Sequence, residues 1–349
     1  MRAATTTPAL ADLLSRARSR RALRRRIVMT ALGLGIVAAF LVSLMVGHTF
    51  YGLDDVWNVI LGHEVEGATF TVGTLRLPRA TLAVAAGAAF GIAGVTFQTL
   101  LRNPLASPDI VGISSGASAA AVFAIVVLGL SGAAVSVIAV VAGLAVALLV
   151  YLLAYRHGVA GTRLILIGIG IAAMLNAVVS YLLERSSQGE YQEALRWLAG
   201  SLNGASWTAT VPVVLALGVL VPVLMSHSRH LGLMQMGDDV AAALGVRVEV
   251  ARIVLVVAAV ALVAIATSAA GPIAFVAFLS GPIAARLVGP HGSLLVPSAL
   301  TGALLVVVAD FAAQWLFGTR YPVGVVTGVL GAPFLIYLLV SINRKGGSL

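Results

Sequence analysis

The chain has 349 residues, of which 60% are hydrophobic and 10% are charged, with a mean hydropathy of +1.05. A soluble domain carries roughly 25% charged residues, so this composition excludes a large aqueous domain. The sequence contains no cysteine, which excludes disulfides, thiolate metal ligands and cysteine nucleophiles.

The chain begins with a basic segment, residues 1–26, that holds eight arginines. The run from Arg16 to Arg26 directly precedes an apolar block, which is typical of a cytoplasmic topology signal that can also contact anionic lipid. We therefore predict no binding to nucleic acid, despite a net charge of +9. The apolar block lacks a small-residue cleavage site, which indicates a retained helix rather than a secretory signal.

Apolar blocks of about 20 residues, the length that a helix needs to cross a bilayer, follow along the chain. They lack the alternation of barrel strands, so we predict an all-α polytopic membrane protein with a transmembrane domain at 27–342 and a tail at 343–349. The predicted spans are 27–47, 80–100, 111–130, 133–154, 164–184, 208–226, 250–270, 272–289, 294–317 and 324–342. Five spans in each half give the halves opposite orientations, as in an inverted repeat.

The distribution of basic residues predicts the orientation of these spans. With both termini in the cytoplasm, 17 of the 22 lysines and arginines lie on the inner side. This asymmetry agrees with the positive-inside rule and indicates a multi-pass protein of the inner membrane. The outer basic residues are Arg76, Arg79, Arg185, Arg196 and Arg320.

Three connections are long enough to hold structure of their own. Outer residues 48–79 are charged and Gly-rich, and outer residues 185–207 include a predicted amphipathic helix around Tyr191–Leu198. Inner residues 227–249 include a predicted short helix at 236–246, MGDDVAAALGV, with two aspartates suited to its N-terminus. This helix is either a solvated loop element or a docking element for a cytoplasmic partner.

Few residues within the spans can ionise, and Asp310 stands deepest. A buried carboxylate indicates either a functional site or a helix cap, and the sequence leaves both open. The six histidines have no helical i, i+4 pair, so no metal or haem site is predicted. Lys345 is the only lysine and is followed by GGSL, so the chain has no phosphate-binding P-loop, and any ATPase is a separate polypeptide.

Four segments together resemble one family. They are LRLPRA at 75–80, FQTLLRNPLASPDIVGISSGAS at 97–118, MGDDVAAALGV at 236–246 and YPVGVVTGVLGAPFLIYLL at 321–339. Over residues 30–342 the chain resembles the FecCD/BtuC-type permeases of ATP-binding-cassette importers for iron siderophores, haem and cobalamin. The PDIVG turn at 108–112 and the segment 271–289 are similar to the ferric-siderophore branch, whose members often pair two different permeases.

The resemblance implies a type II importer fold of ten helices and a transport subunit that is not an enzyme. It implies two permeases around a central pathway, an ATPase dimer that holds ATP and Mg, and an extracytoplasmic substrate-binding protein; no cofactor is expected on this chain. The implied cargo is a ferric-siderophore chelate, with haem or cobalamin as alternatives. The competing hypotheses are an ion-coupled secondary transporter, for which Asp310 is the only candidate midplane ligand, and a membrane-embedded enzyme, for which no acid, base or metal constellation is visible.

The resemblance also assigns residues by position. Arg76 and Arg79 match arginines that dock the binding protein, although arginines at a helix start can also extend toward the membrane interface. A third family arginine falls on Gln314, and Arg320 is its candidate replacement; Gly281 and Pro282 depart from a Pro-His pair of many relatives. The cytoplasmic gate falls on Asn103, Pro104 and Leu105, with a second element at Gly161 and Thr162. The ATPase contacts fall on Gly237, Asp238, Asp239, Leu244 and Gly245.

Overall fold

The computed structural model describes residues 7–108, 112–154, 161–289 and 292–344, and this part of the chain is helical without strands. The helices are α1 (Thr7–Met45), α2 (Leu53–Ile60), a π-helical segment (Thr69–Arg76), α3 (Leu77–Leu100), α4 (Ile113–Val126), α5 (Ala133–Ala154), α6 (Gly161–Glu184), α7 (Gln188–Leu198), α8 (Trp207–Ser226), α9 (Ser228–Met234), α10 (Asp238–Ala243), α11 (Val248–Ala270), α12 (Val276–Val288), α13 (Leu295–Trp315) and α14 (Val323–Arg344).

Ten of these helices coincide with the ten predicted spans. Among the described residues, seven helices are long and apolar enough to cross a membrane, and α4, α12 and α14 supply three shorter apolar stretches. The helix ends differ most for α1, which begins at Thr7 rather than near residue 27 and has 39 residues. Residues 9–32 contain no Gly or Pro and are rich in Ala, Leu and Arg, which are strong helix formers. The basic segment therefore continues the first membrane helix beyond its apolar part.

Contacts between helices group the loops at two ends of the bundle. We call the end at which α1 begins the inner end and the opposite one the outer end. At the inner end the guanidinium of Arg24 donates to the carbonyl oxygens of Arg286 and Leu287, at the end of α12. At the outer end the amide of Gly324 donates to the carbonyl of Gly200, 3.1 Å away. Consecutive spans thus alternate in direction, as predicted.

Helix α3 forms the centre of the bundle and packs against α13, α12 and α11. Glycines allow this approach: a Cβ at Gly87 would lie 2.3 Å from the carbonyl oxygen of Gly302, and one at Gly91 would lie 2.2 Å from that of Ser298. A Cβ at Gly94 would lie 1.9 Å from the carbonyl oxygen of Ala277. Small residues let membrane helices approach at backbone contact distance, so the small-residue spacing in α3 serves packing.

Replacing Gly94 with alanine should destabilise the bundle, because the new methyl group would overlap the backbone of α12. Overpacking of this kind costs about 1–3 kcal/mol. The measurement is the melting temperature of the detergent-purified chain, with Gly218→Ala in α8 as the control, since a Cβ there meets nothing within 4 Å. Equal melting temperatures for the two variants would contradict the packing role of Gly94.

The helix contacts repeat between the two five-span halves. Exchanging the halves maps α3 onto α11, α4 onto α12, α5 onto α13 and α6 onto α14. Helix α3 packs against α12 and α13, and α11 packs against α4 and α5. Helix α6 packs against α4 and α5 as α14 packs against α12 and α13. The packing therefore confirms the predicted inverted repeat, for which the sequence of the halves shows no convincing identity.

The predicted outer amphipathic helix is α7, which begins three residues earlier than predicted. Ser187 caps its first turn, and the carboxylate of Glu190 accepts a 2.9 Å hydrogen bond from the Ser187 backbone amide. This backbone hydrogen bond, with the Ser187 hydroxyl as a second partner, lowers the pKa of the Glu190 carboxyl below its ordinary value.

Candidate coupling and gating site

The inner loop between α8 and α11 forms two short helices rather than the single one predicted at 236–246. Gly237 lies between α9 and α10 with φ +118°, and Gly245 ends α10 with φ +85°. A residue with a Cβ rarely adopts such positive φ values, so both glycines are required by the turns that bound α10.

One side of this loop packs against the bundle and the other is exposed. Ala241 and Val246 are buried, whereas Met236 is 65% exposed, Leu244 is 58% exposed and Val240 is also exposed. We name Met236, Val240 and Leu244 the α10 patch. A group of exposed large apolar side chains at the end of a membrane bundle is typical of a protein interaction site.

The carboxylate of Asp238 joins α10 to two membrane helices. Its Oδ1 accepts a 2.7 Å hydrogen bond from Arg102, which follows α3, and its Oδ2 accepts one of 2.5 Å from Arg252 in α11. Arg102 also donates from Nε to the carbonyl of Met234, and Arg252 donates to Glu249. Asp238, expected to contact an ATPase, thus has both oxygens bound by arginines of its own chain.

Asp239 differs from its neighbour although both begin α10. It is exposed, and no described residue forms a hydrogen bond or an ion pair with its carboxylate. Of the two aspartates, Asp239 is therefore the one available to a partner.

The turn after α3 contains the predicted gate residues. The amide of Asn103 donates to the carbonyl of Gln98 at 3.0 Å, and the Asn103 side chain accepts from the Leu105 amide at 2.8 Å. Pro104 is exposed, while Leu105 packs against the apolar cluster of Phe278, Leu279 and Leu338. Asn103 thus shapes the turn, as Asn side chains do by bonding to the backbone two residues on. We name residues 102–105 the gate turn.

The second predicted gate element is only partly described. Gly161 and Thr162 begin α6, but their side chains and residues 155–160 lie outside the described part of the chain. The same holds for residues 109–111 of the PDIVG turn.

At the outer end, Asp310 of α13 is paired with Arg79 of α3. Arg79 donates from Nε and Nη2 to the two carboxylate oxygens at 2.9 and 2.8 Å, and the Asp310 side chain is 6% exposed. Gln314 donates a further 2.8 Å hydrogen bond to Asp310, and Arg79 donates to the Asn203 side chain at 2.6 Å. A two-bond arginine–carboxylate pair of this geometry is a strong, directional contact. Asp310 is therefore an ion-pair partner rather than a free carboxylate.

The three arginines expected to dock a binding protein have different environments. Arg79 is held by Asp310, and Arg76 donates to the carbonyls of Leu44, Met45 and Thr49 at 2.7–3.0 Å, which satisfies acceptors at the end of α1. Arg320 is exposed, and its Nη2 lies 2.7 Å from Nε2 of His48. Arg320 thus presents the most accessible charge of the three.

Sequence reasoning missed one polar position in α6. Asn176 and Ser180 are exposed one turn apart in the outer half of this apolar helix, and the Ser180 hydroxyl donates to the backbone carbonyl of Asn176. No described residue bonds to the Asn176 side-chain amide. Polar side chains in membrane helices face protein or a water-filled cavity rather than lipid. The sequence signal for this position was a single asparagine, Asn176, within the apolar run ILIGIGIAAMLNAVVSYLL.

Within the described residues, no group of three or more His, Asp and Glu side chains is close enough to hold a metal ion. The arrangement joins an exposed apolar patch to the turn after α3 through ion pairs, which suits conformational coupling.

The ten apolar helices, the inner loop with its exposed patch and the gate turn define a multi-pass membrane permease. Residues 35–341 match the FecCD transport family, and the chain belongs to this family. The match covers the transmembrane domain almost completely.

Individual relatives span nearly the whole chain. The ferric enterobactin transport system permease protein FepG of Escherichia coli (strain K12) is 41% identical over 92% of this chain and 98% of its own length. The achromobactin permease CbrC of Dickeya dadantii (strain 3937) is 39% identical over 90% and 93%. A cobalamin import permease, BtuC of Halobacterium salinarum, is 40% identical over 78% and 74%.

A solved structure shares the fold. It is an inward-facing conformation of a transporter assigned to the metal-chelate ABC type, with a TM-score of 0.80 and 26% identity over 90% of this chain and 99% of that chain.

Proposed function

We propose that the chain is the transmembrane permease of an ATP-binding-cassette importer that carries ferric-siderophore chelates across the inner membrane. The observation that carries this proposal is the inner loop, in which an exposed α10 patch is joined through Asp238 to the gate turn. The siderophore class is supported by the relatives, of which several are permeases for ferric siderophores. Haem and cobalamin are the alternative cargoes.

The partner at the α10 patch is, in this proposal, a dimer of ATPase subunits that hold ATP and Mg. The chain has no P-loop lysine of its own, so the energy source must be supplied by another polypeptide. Leu244 of the α10 patch and the neighbouring carboxylate of Asp239 contact a cleft on that partner in this proposal.

A second, homologous permease faces α6 and α14 in the complete transporter. These helices occupy equivalent places in the two halves, and each exposes a face of large apolar residues. Asn176 and Ser180 on the exposed face of α6 make lipid an unfavourable neighbour there. A paired permease with a central pathway between the copies covers this face, and a different family member is the proposed partner.

The proposed orientation places both termini in the cytoplasm and the outer end toward an extracytoplasmic binding protein. Arg320 supplies an accessible positive charge for acidic residues of that protein. We propose that Arg76 and Arg79, whose charges are held within the chain, act by fixing the shape of the docking face.

Secondary transport gains no support from the geometry. Asp310, its only candidate ion ligand, is bound in a two-bond ion pair with Arg79 near the outer end of α13.

Co-purification with the ATPase tests the proposal. Leu244→Asp should remove the ATPase from a pull-down of tagged chain and reduce ATP-dependent uptake of iron-55-labelled ferric siderophore at least tenfold, because a charge replaces a central apolar contact. The control is Leu61→Asp at the outer end, where Leu61 is similarly exposed, at 56%. Retention of the ATPase by Leu244→Asp, or uptake that follows the proton gradient and survives ATP depletion, would contradict the proposal.

A further inference from the structure

A basic cavity lies at the inner end between the start of α1 and the loop after α12. It has a volume of about 450 Å³ and is lined by the side chains of Arg18, Arg21, Arg24 and Arg25 and by the backbone of Gly289 and Gly292. Its described lining includes no Asp or Glu. The cavity is within the size range of small-molecule sites and has a strongly positive wall.

Two of the four arginines hold α1 in place. Arg24 donates to the carbonyls of Leu287 and Arg286 at 2.9 and 2.8 Å, and Arg25 donates to the carbonyl of Ser293. These contacts attach the basic part of α1 to the ends of α12 and α13. These hydrogen bonds therefore fix the position of α1 relative to α12 and α13, and with it the wall of the cavity.

The other two arginines have no partner among the described residues. Arg18 and Arg21 are exposed, and neither forms a hydrogen bond or an ion pair with a described residue. Together with Arg25 they follow the i, i+3, i+7 spacing of one helix face. Among the described residues, the cavity lining thus offers no acidic side chain to these two guanidinium groups.

The position of these arginines along α1 indicates which kind of anion the cavity would bind. The apolar part of the helix begins at Ile27, so Arg24 and Arg25 lie at the membrane edge. At 1.5 Å per residue, Arg21 lies about 9 Å and Arg18 about 13 Å along the helix from Ile27. The head-group layer extends roughly 5–8 Å beyond the hydrocarbon on each side. Arg24 and Arg25 therefore lie within the head-group layer, Arg21 lies at its outer edge, and Arg18 lies on its aqueous side.

We propose that this cavity binds the phosphate head group of an anionic phospholipid of the inner leaflet. Arg21 binds the phosphate oxygens, for which a guanidinium fork is well suited, and Arg18 adds positive charge on the aqueous side of the head group. Arg24 and Arg25 keep α1 against the bundle. Basic pockets between membrane helices on the cytoplasmic side are suited to phosphate-rich head groups. The assignment to the inner leaflet rests on the proposed orientation of the chain. Binding of the lipid depends on neither the orientation nor the transport function.

The test is native mass spectrometry of the tagged full-length chain, with its co-purifying partners, in neutral detergent. Cardiolipin, phosphatidylglycerol and phosphatidylcholine are titrated separately. The first two should bind to the wild type at concentrations at which phosphatidylcholine does not. The double variant Arg18→Ala, Arg21→Ala should weaken binding roughly 30-fold, because each arginine near an anionic surface contributes a factor of about five.

The matched control is the double variant Arg20→Ala, Arg26→Ala, which removes the same charge from the same helix but from positions that do not line the cavity. It should weaken binding less than about threefold, because an exposed charge that makes no direct contact with the lipid contributes little. Equal loss of lipid binding in both double variants would show that the lipid responds to the overall positive charge of the helix. That result would overturn the proposed site. Displacement of the lipid by inorganic phosphate alone would show a small-anion site and overturn the lipid assignment. If the first double variant does not fold, the single variant Arg21→Ala is read against Arg20→Ala by the same criterion.

Discussion

Replacing Asp238 with asparagine is expected to reduce ferric-siderophore uptake at least tenfold while the ATPase stays bound. The substitution keeps the size of the side chain and removes the charge that attracts Arg102 and Arg252. Asparagine keeps one acceptor oxygen but no charge, so α10 is joined more weakly to the gate turn and to α11. We then expect that a movement of α10 driven by the ATPase is transmitted only weakly to the gate turn.

The structure indicates that the substitution should change uptake much more than stability. The Asp238 and Arg102 side chains are 45% and 46% exposed, and exposed ion pairs contribute about 0.2–1 kcal/mol to stability. Arg252 is more buried, at 11% exposed, but keeps its ion pair with Glu249, so the variant should fold. Coupling free energies between sites are typically about 1–3 kcal/mol, equal to 5- to 150-fold in function. The readouts are iron-55 uptake by cells, ATP hydrolysis by the purified complex and melting temperature. We expect hydrolysis to continue while uptake is lost.

Asp239→Asn is the matched control, because the two aspartates are adjacent and differ in their partners within the described chain. It leaves the Arg102 and Arg252 pairs intact, and because Asp239 faces the proposed ATPase, any loss of uptake should come with a loss of bound ATPase, which Asp238→Asn should retain. Arg102→Gln should reproduce the Asp238→Asn defect, and the two changes together should be no worse than either alone. Loss of the ATPase from the Asp238→Asn complex would instead make Asp238 a direct ATPase contact.

The fold was largely predictable because its signals are local. Apolar blocks of bilayer length located the ten spans, and basic asymmetry predicted their alternation. The inner helix at 236–246 was located by its two aspartates and bounding glycines. The predicted start of α1 was wrong because hydropathy marks the apolar part of a helix and not the charged residues that continue it.

The side-chain pairings were not predictable because they join distant parts of the chain. Arg79 and Asp310 are 231 residues apart, and Arg102 and Asp238 are 136 apart. Nothing local to Arg79 distinguishes an internal ion pair from a docking contact. Asp238 and Asp239 are equivalent in sequence terms, and only the position of Arg102 and Arg252 distinguishes them.

Replacing Arg79 with leucine is expected to destabilise the chain by about 3–5 kcal/mol, because the buried carboxylate of Asp310 loses its partner. Gln314 donates one hydrogen bond to that carboxylate but cannot neutralise its charge. The measurement is the melting temperature of the detergent-purified chain, together with its yield. Arg320→Ala is the control, since Arg320 is an exposed arginine at the same end of the bundle and should leave the melting temperature unchanged.

A second substitution separates an internal role of Arg79 from a docking role. The double variant Arg79→Leu, Asp310→Leu removes both charges and should recover most of the lost stability, since apolar replacement of a buried ion pair is often neutral or stabilising. If Arg79 acts only within the chain, this double variant should bind the substrate-binding protein with nearly wild-type affinity, whereas Arg320→Ala should bind it more weakly. If Arg79→Leu keeps its melting temperature and loses the binding protein, the guanidinium of Arg79 contacts that protein directly and must leave Asp310 when the two proteins meet.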